Sequence, residues 1–159
     1  MNSFLRDSTN HIFQEDLISK FTDYICNAIN SADIELSEHG VIASGKLLLL
    51  TGETKSPYSK VASNSNFELD DKQIKKIIDT LSVSMLKPVC NSNDVRRLSL
   101  VVIRTAARFK VDECITPNLD TLGLSVFSCL RDPIIPIKLA AEKAYLAIFQ
   151  LIEDVEMNK

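Results

Sequence analysis

The chain of 159 residues has the length of one domain and is long enough to bury a core. Its 21 acids and 18 bases give a net charge of −3, which argues against a protein that seeks nucleic acid over its whole surface. Four Gly, five Pro and no Trp, beside long Leu, Ile and Ala stretches, disfavour a turn-rich sandwich or barrel and predict helices. The N-terminal MNSFLRDSTN holds no apolar signal core, and no run approaches the roughly 18 apolar residues of a membrane span. The expected setting is therefore cytoplasmic, without a membrane partner. Cysteines stand at positions 26, 90, 114 and 129 with no CxxC. With only His11 and His39 beside them, no zinc-ligand spacing can be assembled. Reduced core thiols are expected, with no metal, no cofactor and no small-molecule substrate.

In chain order, a first helical pattern follows a capping residue at Thr9 or Asn10 and carries Phe13, Leu17, Phe21, Tyr24, Ile25 and Ala28. Asn30-Ser31-Ala32-Asp33 ends it. A second helix runs from about Leu36 through Leu47–Leu50 to Gly52. The stretch 52–66, GETKSPYSKVASNSN, has no periodicity, so a mobile loop is expected over about 52–68. Ser56-Pro57 within it fits a proline-directed kinase, although such dipeptides are common in loops. A third helix starts near Asp70-Asp71, whose charges suit its N-terminal dipole, and reaches Lys87-Pro88 through Ile74, Ile77, Ile78, Leu81 and Met85. The fourth starts at Ser92, Asn93 or Asp94 and runs to about Lys110 on the stripe Val95, Leu98, Val102, Ala106 and Phe109. LSLVVI alone would suit a strand, but the flanking period favours a helix. A fifth helix covers about Leu119–Leu130 and a sixth about Pro136–Asp154, either side of Asp132-Pro133.

Six helices in sequence invite a search for a repeat. At an offset of 42 residues Val95 meets Ile137, Arg96 meets Lys138 and Leu98 meets Ala140, while Val102, Ala106 and Phe109 meet Ala144, Ile148 and Leu151. A helix, a short turn and an apolar-basic start to a second helix is the HEAT pattern. The expected fold is all-α, an α-solenoid of HEAT/armadillo type with about three antiparallel helix pairs, near 10–52, 70–110 and 117–155. The first pair fits the alternation but not the register.

Several features resemble chemistry without supplying it. Gly40-Val41-Ile42-Ala43-Ser44-Gly45-Lys46 fits GxxxxGK, but Leu47 stands where the magnesium-binding hydroxyl belongs and no strand precedes it. Gly45 is better read as a close-packing glycine. His39 reads as a surface histidine, because no nucleophile or orienting acid can be placed beside it. The pairs Glu15-Asp16 and Asp70-Asp71 lie at helix starts, where dipole compensation explains them. No catalytic residue is assigned, and no enzyme is expected.

Charge is more informative. Residues 71–110 hold nine bases and three acids, between acidic flanks. Arg97, Arg104 and Arg108, spaced by seven and four, share one face of the fourth helix. With Arg96 and Lys110 they make a candidate strip for a polyanion or an acidic partner; the alternative is pairing with acids of adjacent repeats. On the sixth helix Leu146 and Phe149 fall opposite the core stripe, with Glu142 and Glu153, as a candidate hydrophobic interface. Its natural cover is a further repeat, as in a fragment of a longer array, or a protein partner.

RLSLVVIRTAARFKVDECITP and LRDPIIPIKLAAEKAYLAIFQL resemble the C-terminal HEAT repeats of the giant general-control translational activator family. HGVIASGKLLLLTGETKSPYSK is similar to the same family, and the resemblance covers roughly residues 35–152. It implies a non-enzymatic scaffold: members bind ribosomes and present them to the kinase that phosphorylates initiation factor two alpha in amino-acid starvation, relaying uncharged tRNA. The implied partners are that kinase or a co-activator and the ribosome, with a ribosomal RNA contact. None of the residues associated with kinase binding matches a position here, so none is carried over. The second expectation is a HEAT adaptor of transport or chromatin assembly with a protein partner alone.

Overall fold

A computed structural model of the chain describes residues 3–55, 69–87, 92–108 and 115–157, and their side chains except those of 3–14, 52–55 and 155. Six α-helices account for most of these residues: α1 Ser3–Ile29, α2 Ile34–Lys55, α3 Asp71–Ser84, α4 Asn93–Arg108, α5 Leu119–Cys129 and α6 Ile135–Met157, with a short 3-10 turn, Thr116–Asn118, leading into α5. Among the described residues there is no strand. Helices α1–α2, α3–α4 and α5–α6 pack as pairs. The first members, α1, α3 and α5, form one layer; the second members, α2, α4 and α6, form the other. This is the α-solenoid of three antiparallel pairs.

Local chemistry fixes the helix starts. Asp33 accepts from the Leu36 N–H at 3.2 Å at the head of α2. Asp70 caps α3 in a reciprocal box: the Gln73 N–H donates to Asp70 Oδ1 at 2.7 Å and Gln73 Oε1 accepts from the Asp70 N–H at 2.9 Å. Such a box satisfies two otherwise orphaned donors. Before α6, Asp132 Oδ1 accepts from the Ile134 N–H at 3.0 Å, so the Asp-Pro turn is held by its own carboxylate.

Several ends differ from the sequence pattern. Helix α1 begins at Ser3 rather than after Thr9 or Asn10; capping residue types cost only about 0.5–0.7 kcal/mol inside a helix, too little to stop one. Helix α2 passes Gly52 and ends at Lys55, one Gly being similarly tolerated near an end. Helix α3 closes at Ser84, where the Met85 N–H turns back to Leu81 O at 3.2 Å and the Leu86 N–H to Val83 O at 3.1 Å. The expected mobile loop, with Ser56-Pro57, lies outside the described residues apart from its first four positions, which are helical.

The core runs the length of the solenoid. Ile74, Ile77, Ile78 and Leu81 of α3 are fully buried, as are Leu100 and Ile103 of α4 and Ile137, Ala141 and Ala144 of α6. Each large aliphatic side chain so buried stabilises the fold by about 1.5–3 kcal/mol. The offset partners Val95 and Ile137, like Ala106 and Ile148, are buried in both repeats. Helix α4 is buried over a wider arc than its Val95–Phe109 stripe implies, because it is flanked by both α2 and α6.

Candidate interaction surface

The arc buried on α4 has two flanks. Val102 faces α2: a Cβ built on Gly45 would stand 3.0 Å from its Cγ2. The other flank begins at Arg96, whose Nη2 donates to Asp132 Oδ2 in the turn before α6 and whose Nε donates to Met85 O at 3.0 Å. Leu100, Ile103 and Ala107 continue that flank, four, seven and eleven residues on, and are buried.

Arg96 is therefore not part of a surface strip. Its side chain is 2% exposed, so no polyanion can reach it. An arginine leaves water only where its charge is matched, and Asp132, 36 residues along the chain, supplies the match. The Cys129 thiol donates to the same Met85 carbonyl at 3.4 Å. The cluster ties the end of α3, the start of α4 and the α5–α6 turn together. Burial alone would raise the Asp132 carboxyl, but the Arg96 guanidinium and the Ile134 N–H outweigh it and hold the group below its ordinary value.

Arg97 and Arg104, both half-buried, and the exposed Arg108 line the solvent side of α4. Arg97 is loosely paired with Asp94 at 4.0 Å; Arg104 and Arg108 have no ion-pair partner among the described residues. Lys110 lies outside the described residues. The 42-residue register extends this face onto α6. Arg97 corresponds to Leu139, Val101 to Lys143, Arg104 to Leu146 and Arg108 to Gln150, and all four α6 positions are exposed, Leu139 by 49% and Leu146 by 58%. On α2, Ile42 and Lys46 occupy the exposed side of the same layer.

Leu146 and Phe149 are neighbours on α6, three residues apart, but they correspond to different kinds of position on α4. Phe149 corresponds to Ala107, on the flank that α4 buries against the third pair, and Tyr145 corresponds to Ile103. On α6 both are exposed, Phe149 by 48%, because no helix among the described residues follows. Leu146 instead belongs to the free face of the second-helix layer. Leu139 and Lys143 on that face were missed from sequence. The signal was present, since the offset that aligns the core also aligns the solvent side.

The remaining features are structural. Gly40 and Gly45 both lie inside α2, and a Cβ on Gly40 would stand 2.8 Å from the Ile29 backbone nitrogen. The GxxxxGK match is thus a pair of packing glycines in mid-helix, where backbone N–H groups are already used and cannot cradle phosphate. His39 is exposed and donates from Nδ1 to Glu35 O at 2.7 Å. Asp16 pairs with Lys20 at 2.7 Å. Cys26 and Cys129 are free and buried, and burial pushes both thiols up; Cys90 and Cys114 lie outside the described residues. Among the described residues no three His, Cys, Asp or Glu side chains converge as metal ligands, and no helix is long and apolar enough to cross a membrane.

Paired helices in two layers, an apolar-basic start to α4 and α6 and an arginine bound to the next repeat's turn define a HEAT-type α-solenoid segment. Comparison with known proteins makes this specific. The description "GCN1-like, C-terminal HEAT repeats" matches residues 1–158, and the chain belongs to that family. It is 57% identical over 158 residues to the eIF-2-alpha kinase activator GCN1 of Saccharomyces cerevisiae, covering 99% of this chain and 6% of the relative. Protein ILITYHIA of Arabidopsis thaliana is 25% identical over 156 residues, 98% of this chain and 5% of the relative. The chain thus spans about one-twentieth of the length of these relatives. No solved structure matches it.

Proposed function

We propose that the chain is a non-enzymatic interaction module of translational control, part of a cytoplasmic, ribosome-associated scaffold that activates the kinase phosphorylating initiation factor two alpha in amino-acid starvation. The observation that carries this reading is the 57% identity, over nearly the whole chain, to a protein named as an eIF-2-alpha kinase activator. The fold supports it: a HEAT segment offers an extended surface suited to binding partners. Arg97, Arg104 and Arg108 are the contacts proposed to meet a ribosomal or acidic partner, and Leu146 and Phe149 the apolar ones.

Ribosome co-sedimentation of the purified chain over a salt series tests the ribosomal part. Pelleting is expected at low salt and should weaken as salt rises, since each phosphate contact releases counterions. An Arg97/Arg104/Arg108→Glu variant with intact helical circular dichroism should stay in the supernatant. A folded wild-type chain that never pellets contradicts ribosome binding by this segment.

A further inference from the structure

The free face of the second-helix layer carries two neighbouring rows. On α4 the row is basic, Arg97, Arg104 and Arg108; on α6, in register with it, the row alternates Leu139, Lys143 and Leu146. Helices α4 and α6 run parallel as second members of successive antiparallel pairs, and helices packed together lie about 8–10 Å apart. Each row repeats at three-, four- or seven-residue spacing. From Arg97 to Arg108 the row rises about 16 Å at ~1.5 Å per residue, or three helical turns.

We propose that this face binds an acidic amphipathic α-helix of a protein partner, with its carboxylates over Arg97, Arg104, Arg108 and Lys143 and its apolar stripe over Leu139 and Leu146. The inference rests on the reading of the chain as an interaction module and names the chemistry of what it takes. Charge complementarity identifies the acidic side of the ligand: Arg104, Arg108 and Lys143 have no ion-pair partner among the described residues. The leucines separate a protein from RNA. Two half-exposed leucines level with the arginines contribute nothing to phosphate contacts, whereas a helix laid along a groove covers an apolar row and a charged row together. The shared period favours a helix over an extended peptide, since rows with three- and four-residue spacing meet like spacing on a helical ligand.

The test is fluorescence anisotropy with the purified chain and a labelled 18-residue helical peptide bearing leucines on one i, i+3/i+4 stripe and glutamates on the adjoining one. A same-composition peptide with the stripes scrambled and a labelled uridine 18-mer are the comparators. The striped peptide should bind at least tenfold tighter than the scrambled one. Arg104→Glu/Arg108→Glu and, separately, Leu139→Ser/Leu146→Ser should each weaken it at least tenfold while circular dichroism stays unchanged. A peptide that binds regardless of stripe order, or is indifferent to the leucine substitutions, overturns the proposal in favour of bare polyanion attraction. So does preferential binding of the uridine 18-mer, or binding of neither probe by a folded chain. A chain that pellets with ribosomes but ignores the peptide refutes this inference alone; one that binds the peptide but never pellets refutes the ribosomal reading alone.

Discussion

Arg96 and its neighbour Arg97 show how little residue type says about role. One is sealed into a three-element clamp; the other sits on the solvent side one position later. Arg96→Ala should cost about 3–5 kcal/mol in urea unfolding, because Asp132 then stays buried without its counter-charge. Arg104→Ala should stay within about 0.5 kcal/mol. The same clamp sets an acid limit. The Asp132 carboxyl is held below its ordinary value when folded, so its stabilisation is fully present above the unfolded carboxylate range, near pH 3.9. It is lost as pH falls from there through the folded value. The wild type should therefore lose more stability than Asp132→Asn between about pH 5 and pH 3, a difference read by thermal melts. The basic residue was legible as the start of a HEAT second helix, but its burial was not. Basic side chains are exposed by default, and the acid that removes this one from water lies 36 residues downstream. Its offset partner Lys138 is exposed.

At the scale of the helix, small residues decide how near the elements come. Adding a methyl at Gly40 would press on the Ile29 backbone at 2.8 Å, at Gly45 on the Val102 methyls at 3.0 Å, and at Gly123 on nothing within 4 Å. Gly123→Ala should therefore stabilise by up to about 1 kcal/mol through helix propensity. Gly40→Ala should destabilise by about 1–3 kcal/mol, because backbone cannot move aside. Gly45→Ala should fall between them, and chemical denaturation orders the three. Register makes a second comparison. Ala107 and Phe149 are equivalent positions, one 3% exposed and the other nearly half exposed. Ala107→Glu should cost at least about 4 kcal/mol by burying an unpaired charge, and Phe149→Glu less than about 0.5 kcal/mol. Helices α3 to α6 could be read from sequence because each carries its own apolar period, which in α4 and α6 also persists across a 42-residue repeat. The start of α1 and the end of α2 could not, since residues such as Asn10 and Gly52 disfavour a helix too weakly to bound one.

Across the whole molecule, the proposed function is spread over surfaces, and the two buried cysteines are read as structural. With both thiols pushed up by burial, Cys26 and Cys129 should resist a maleimide probe at pH 7 and react on unfolding, as peptide mass mapping would show. The candidate surface was half legible. Spacing alone placed Arg97, Arg104 and Arg108 together, but the leucine row beside them depends on which helices are neighbours and on their common register. The central claim is that this segment serves the activation of an eIF-2-alpha kinase. It is tested most directly in yeast whose GCN1 has the matching 158-residue segment replaced by this chain, with phosphorylation of initiation factor two alpha measured after amino-acid withdrawal. Phosphorylation should rise as in the parent strain and should fail to rise when the inserted chain carries Arg97, Arg104 and Arg108 as glutamate. A replacement protein that accumulates normally yet leaves phosphorylation flat, or a triple variant that supports it fully, would contradict the account.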